Sequence, residues 1–311
     1  MNKKTAFLFP GQGSQALGML SIFAHRYSTI RETFMMASHV LRFDLWELCQ
    51  EGPEEVLNQT ENTQPALLTA SVALWRVWQQ QEGFKPTFMA GHSLGEYSAL
   101  VCAGALDFLT AVDLVAKRGR FMQAAVPAGS GAMAAIVGLD NEKIQALCVS
   151  AAEGQVLSPA NYNSIGQTVV AGDAAAVQRL LVQTKQAGAK LAKLIPVSVP
   201  SHCALMKPAA KQLARVLEDI TIDVPNIPII NNVDVAIEHD PDLIKKALVE
   251  QLYKPVRWVE IIQQLEKREI EEMIECGPGK VLAGLNRRIA PIPTIPLLDP
   301  EILEDALMGE G

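Results

Sequence analysis

Short apolar runs alternate with stretches of helical periodicity along most of this chain. The runs 5–9, 87–90, 227–230 and 272–276 read as buried strands, and 64–81, 94–103, 107–125, 203–219 and 280–289 read as amphipathic helices. Alternation of this kind predicts a mostly parallel sheet covered by helices on both faces. Between 131 and 196 the rhythm changes. A strand at 132–137, a helix at 141–152, strands at 155–160 and 167–171, a helix at 173–187 and a strand at 189–195 follow in the order βαββαβ, that of a ferredoxin-like unit. Pro127, Gly129 and Gly131 before it, and Pro196 and Pro200 after it, bracket it as an insertion. The fold class expected is α/β. Residues 1–126 and 197–311 form the large domain with its mostly parallel sheet, and 127–196 form the ferredoxin-like small domain.

Composition narrows the partners. With 311 residues, 49% of them hydrophobic and 20% charged, the chain can bury a large core. A net charge of −7 without runs of like charge speaks against nucleic acid and against an anionic membrane surface. No stretch approaches the ~20 apolar residues that span a bilayer. Small molecules and proteins are the partners expected. Pro10 and Gly11 stop the first apolar run too early for a signal peptide, and five scattered cysteines without CxxC spacing fit reduced thiols in the cytoplasm. The five histidines lie far apart and offer no metal site.

The stretch GHSLG at 91–95 falls between a strand-like run and a helix. G-x-S-x-G at a strand-to-helix turn exposes a serine oxygen above a sheet. Its glycines keep the tight turn clear of side chains, and the free N–H of Leu94 at the helix start can hold an oxyanion. The alternative use of Ser93 is a helix cap. A nucleophilic serine needs a base, and adjacent side chains diverge, which disqualifies His92. His202 follows an extended segment held by Pro196 and Pro200, where it is expected to face a cleft. His25, His39 and His239 lie in polar segments and read as solvated surface. Cys203 reads as a small buried hydrophobe. No acid stands out to orient the histidine. Asp107, Asp113, Asp140 and Asp173 lie between Ser93 and His202, each at a helix start or on a polar helical face. An amide or a backbone carbonyl can orient an imidazole equally well.

At about 100° per residue, Ala111, Leu114, Val115, Phe121 and Met122 share one side of a helix, with Arg118 in the middle of it. A guanidinium facing the interior needs a partner, and its planar fork suits a carboxylate. That partner is either a protein acid in an internal salt bridge or a free carboxylate on an acyl group carried by Ser93. Near the N-terminus, Gly11, Gly13 and Ala16 fit the dinucleotide pattern G-x-G-x-x-A. The ribose-binding acid that should follow ~20 residues on has no strand to sit on, because the pattern around Arg31 and Glu32 is helical. A glycine-rich loop opening a helix also presents backbone N–H groups to negative charge. The Gln12 amide is therefore the candidate second oxyanion donor.

The segments FPGQGSQ, QPALLTASVAL, GHSLGEYSAL, KRGRFM, NNVD, QLYKPVRW and ECGPGKVL, in that order and reaching to about Leu297, together resemble the malonyl-CoA:acyl carrier protein transacylases of fatty-acid synthesis. The resemblance implies a hydrolase-like α/β domain with a ferredoxin-like insertion. It implies that Ser93 becomes malonylated, that His202 is the base, and that Arg118 grips the malonyl carboxylate. The Gln12 and Leu94 amides would form the oxyanion hole, and the backbone carbonyl of Gln251 would orient His202. Malonyl-CoA is then the substrate and holo acyl carrier protein the partner, with a monomeric chain and no cofactor. Lys190, Lys193, Arg287 and Arg288 are candidate contacts for an acidic carrier protein. A serine thioesterase on the same Ser-His pair is the alternative. The tail after Asp299 carries no pattern.

Overall fold

A computed structural model describes residues 3–196 and 199–308. Its strands are β1 (Thr5–Phe9), β2 (Phe88–Gly91), β3 (Gly131–Val137), β4 (Leu157–Ser164), β5 (Gln167–Asp173), β6 (Leu191–Ile195), β7 (Ile229–Ile230), β8 (Glu272–Glu275) and β9 (Thr294–Pro296). The larger sheet is parallel, in the order β7-β2-β1-β8-β9. β1 is buried along its whole length, as a continuous apolar run must be when helices cover both faces. The helix Thr60–Gln80 is buried on nearly every side, which suits a helix without a polar face. Its Trp75 and Trp78 meet Phe7 of β1 edge-on, with ring centroids 5.2 and 5.0 Å apart.

β1 has β2 on one side and β8 on the other. The loops that follow β1 and β2 thus face each other at the carboxyl ends of the strands, where α/β sheets bind ligands. Gly95 lets them touch, and Gly91 keeps the turn after β2 tight. A Cβ on Gly95 would lie 2.0 Å from the Phe9 carbonyl oxygen, and one on Gly91 would lie 1.9 Å from the Gly95 carbonyl carbon.

The smaller sheet is antiparallel, in the order β4-β5-β3-β6. Its elements follow the βαββαβ order, with the helices Asn141–Ala152 and Ala174–Gln186. Ile136 and Val170 from its strands pack with Ile144, Cys148, Val177 and Leu180 from those helices. Met133, Val169 and Ala171 instead pack with Cys203, the neighbour of His202. β4 is also tied to the segment 252–256: the Val256 N–H donates to the Ala160 carbonyl and the Tyr162 N–H donates to the Val256 carbonyl, both at 2.9 Å.

Several boundaries differ from the pattern. β4 runs from Leu157 to Ser164, past the expected end at 160, because Pro159, Asn161 and Asn163 suppress the strand signal. Proline is tolerated there because β4 is an edge strand with a register shift beside it. The helix expected from 64 begins at Thr60 and carries Pro65 inside it. The one expected to reach 289 spans Val281–Asn286, and the Glu275 carboxylate accepts from its Leu282 and Ala283 N–H groups at 2.9 and 2.8 Å. The tail holds a helix, Pro300–Met308, which buries Leu303 and Ala306 and accepts the Tyr27 hydroxyl on Glu304 at 2.9 Å. The boundary expected at residue 197 lies outside the described residues.

Among the described residues no helix is long and apolar enough to cross a membrane, and no group of three or more His, Cys, Asp or Glu is placed to hold a metal ion. All five cysteines are free and buried.

The close approach at Gly95 makes a prediction. Gly95→Ala should lower stability by about 3 kcal/mol or more, since the clash is with backbone that cannot swing aside; an unchanged urea midpoint would show that the two loops are not locked together.

Candidate active site

β2 ends at Gly91 and the helix Gly95–Cys102 starts almost at once. Ser93 is left between them at φ 52°, in the left-handed region. That conformation costs a residue with a Cβ about 1 kcal/mol or more and persists only where neighbours enforce it. Asn232 is the enforcer: its Oδ1 accepts the Ser93 N–H and its Nδ2 donates to the Gly91 carbonyl, both at 2.6 Å. The loop after β1 closes the other side. The His92 N–H donates to the Phe9 carbonyl at 2.9 Å, and a Cβ on Gly11 would stand 2.5 Å from the His92 carbonyl oxygen. Gln12 follows at once, with its side chain tied back to Thr60 Oγ1 at 3.3 Å. Neither the Gln12 N–H nor the Leu94 N–H donates to a protein acceptor among the described residues.

Ser93 Oγ lies 2.8 Å from His202 Nε2, and His202 Nδ1 lies 2.7 Å from the Gln251 carbonyl oxygen. A carbonyl oxygen only accepts. Nδ1 therefore carries the proton, and Nε2 turns its lone pair toward the serine hydroxyl. His202 is itself at φ 62°, with its N–H donating to the Leu252 carbonyl at 2.9 Å. Burial first, then the charge of Arg118, push its pKa down to about 3 and keep the ring neutral. The pattern placed this histidine facing a cleft. It is only 3% exposed, because the small sheet packs over its neighbour Cys203.

None of the four intervening aspartates reaches the imidazole. Asp107 and Asp140 cap helices by accepting from the Thr110 and Lys143 N–H groups, Asp113 pairs with Lys117, and Asp173 accepts the Val156 N–H. His92 turns away, with its Nε2 2.8 Å from Asn163 Oδ1. His25, His39 and His239 are exposed.

Arg118 is 1% exposed, on the inward side of the helix Phe108–Ala125. Among the described residues it makes no internal salt bridge, one of the two pairings expected of it. Nη1 donates to Gln64 Oε1 at 2.7 Å, Nη2 donates to Gln251 Oε1 at 3.0 Å, and the guanidinium lies 5.3 Å from the centre of the Tyr97 ring. Its buried Nε has no hydrogen-bond partner among the described residues. Amide oxygens leave the guanidinium without a carboxylate in direct contact and with a donor spare, a combination that a planar anion satisfies.

Gln251 joins these groups. Besides its contacts with His202 and Arg118, its Nε2 donates to Glu96 Oε2 at 2.8 Å and to the Ser93 carbonyl at 3.1 Å. Burial pushes the Glu96 carboxyl up to about 7. Sequence reasoning assigned no role to Glu96, Gln64 or Asn232. A signal for Glu96 exists: it is the only charged side chain between Lys85 and Asp107.

A serine facing a neutral base, with a buried cation joined to the pair through Gln251, forms a site suited to acyl transfer. Residues 6–288 match the acyl transferase domain. The chain is 57% identical over 303 residues to the malonyl CoA-acyl carrier protein transacylase of Escherichia coli K12, covering 97% of this chain and 98% of that one. It belongs to the malonyl CoA-acyl carrier protein transacylase family. The family member from Bacillus subtilis is 46% identical over 309 residues, covering 98% and 96% of the two chains. Among solved transacylase structures, that from Coxiella burnetii superposes with a TM-score of 0.97 at 53% identity, covering 98% of this chain and 97% of that one. A malonyl-transacylase in complex with its type II PKS acyl-carrier protein also reaches 0.97, at 54% identity, covering 98% and 99%.

The buried neutral imidazole has a measurable consequence. Unfolded histidine protonates near pH 6.5, whereas the native ring stays neutral down to about 3. Proton binding to the unfolded chain therefore removes stability as pH falls through 6.5. His202→Asn should lose less stability than the wild type between pH 7.5 and pH 5; equal losses in urea unfolding would contradict the assignment.

Proposed function

We propose that Ser93 carries a malonyl group from malonyl-CoA to the phosphopantetheine thiol of holo acyl carrier protein, in fatty-acid synthesis. The observation that carries this reading is Arg118, a buried cation held by amide oxygens and joined through Gln251 to the Ser93–His202 pair.

In the first half-reaction the Ser93 hydroxyl gives its proton to His202 Nε2 as Oγ attacks the thioester carbonyl. The Gln12 and Leu94 N–H groups hold the resulting oxyanion. The carbon–sulfur bond then breaks, and the proton on His202 passes to the departing coenzyme A thiolate, leaving a malonyl ester on Ser93. In the second half-reaction the carrier thiol gives its proton to His202, attacks the ester, and takes the malonyl group as Ser93 regains its proton. The imidazolium formed at each attack is stabilised by the Gln251 carbonyl, so no acid is required. Arg118 grips the malonyl carboxylate bidentately. Every step uses groups of this chain and no cofactor.

We read residues 127–196 as a ferredoxin-like unit inserted in a hydrolase-like domain, acting as a monomer in the cytoplasm. Lys190, Lys193, Arg287 and Arg288 are all exposed, available to an acidic carrier protein. Arg288 also reaches Gln167 Oε1 at 3.4 Å, across to the small sheet.

The reading makes selectivity depend on one side chain. Arg118→Ala should lose malonyl transfer and shift the malonyl-to-acetyl ratio of transfer rates by about 100-fold or more, because an acetyl group leaves the buried cation unpaired in the wild type and no longer does so in the variant. An unchanged ratio would remove Arg118 from the site.

A further inference from the structure

Glu96 is 4% exposed and sits at the start of the helix behind Ser93. Both of its hydrogen bonds fall on one oxygen: Oε2 accepts from Gln251 Nε2 at 2.8 Å and from the Asn232 N–H at 3.0 Å. Gln251 consequently points its Nε2 at an anion and its Oε1 at the cation Arg118, which fixes which way round the amide lies. We propose that Glu96 is a positioning residue for Gln251 and Arg118 that takes up a proton when an acyl carboxylate binds Arg118 and gives it back when that group leaves. The proposal rests on the reading of Arg118 as the carboxylate clamp.

The charge balance drives the exchange. With no acyl group present, Glu96 and Arg118 are opposite charges separated by one amide, and together they are neutral. A carboxylate on Arg118 brings a second anion into the same buried space. Two anions then share one cation, and the carboxyl without direct contact to it is the one that protonates. Burial already holds Glu96 at about 7, so a modest further rise protonates it at neutral pH. The charged and titratable groups facing it are Arg118 from the helix Phe108–Ala125, Asp234 and Glu238 from the segment after β7, and Tyr97 on its own helix. Of these charges only Arg118 favours the ionised form.

Glu96 also borders a cavity that neither Arg118 nor Gln251 lines. Lined also by Leu100, Asn231, Glu238, Ile244 and Ala247, it has a volume of about 20 Å³, which admits one water. Asn231 has its buried Nδ2 without a partner among the described residues, and Glu238 is half-buried. Glu238 thus lines the cavity and also meets solvent.

Calorimetry in two buffers of different ionisation enthalpy counts the protons. Ser93→Ala protein, which binds malonyl-CoA without turning it over, should take up a substantial fraction of a proton per ligand at pH 7.5, as Glu96 rises from about 7. Acetyl-CoA should take up none beyond what its coenzyme A moiety contributes. Ser93→Ala with Glu96→Gln should lose the difference between the two ligands, while the amide oxygen of the new side chain still accepts both hydrogen bonds. A second test needs no change at residue 96. The Kd of malonyl-CoA relative to acetyl-CoA should weaken severalfold from pH 6 to pH 8. Equal uptake with both ligands, a difference that survives Glu96→Gln, or a flat relative Kd overturns the proposal. Equal affinity for malonyl-CoA and acetyl-CoA at every pH overturns the clamp reading beneath it, whereas a malonyl preference without proton uptake overturns the Glu96 proposal alone.

Discussion

The Gln251 carbonyl accepts the Nδ1 proton of His202 at 2.7 Å, and the remaining polar contacts of the site depend on that bond. It selects the tautomer that leaves Nε2 free to take the serine proton. It also brings the Gln251 side chain within reach of Arg118, Glu96 and the Ser93 carbonyl. Orientation of the base, placement of the cation and support of the nucleophile turn thus pass through one residue. A triad acid would supply only the first of these.

The site is also buried and strained. Ser93 and His202 both occupy left-handed backbone conformations, held by Asn232 and by the Leu252 carbonyl respectively. The small sheet covers the region around His202 through Cys203 and is fastened to the segment after Gln251 through Val256. Burial is what keeps the imidazole neutral, and it is what makes a guanidinium with a spare donor so selective for an anion. The same low dielectric explains why Glu96 responds to a charge it does not touch.

Much of this was legible in the chain because it depends on short-range pattern. A strand, a G-x-S-x-G turn and a helix place Ser93, and helical phase alone puts Arg118 on the inward face. His202 was found by elimination among five histidines, yet its burial was not, since the sheet that covers it arrives from elsewhere in the chain. The role of the Gln251 carbonyl could not be read from the residues, because every residue carries one; it came with the family resemblance. β9 and the final helix gave no signal: β9 is three residues long, and the helix lies in a short tail whose partners Tyr27 and Arg26 are far away in sequence. Proline and asparagine hid the second half of β4.

The central claim is that Ser93 holds a malonyl group between two thiols. Intact-protein mass after incubation with malonyl-CoA, followed by holo acyl carrier protein, tests it most directly, with Ser93→Ala as control. The account predicts a malonyl adduct that requires Ser93 and passes to the carrier protein. No adduct would contradict it, as would an adduct lost to water at the same rate whether or not carrier protein is present.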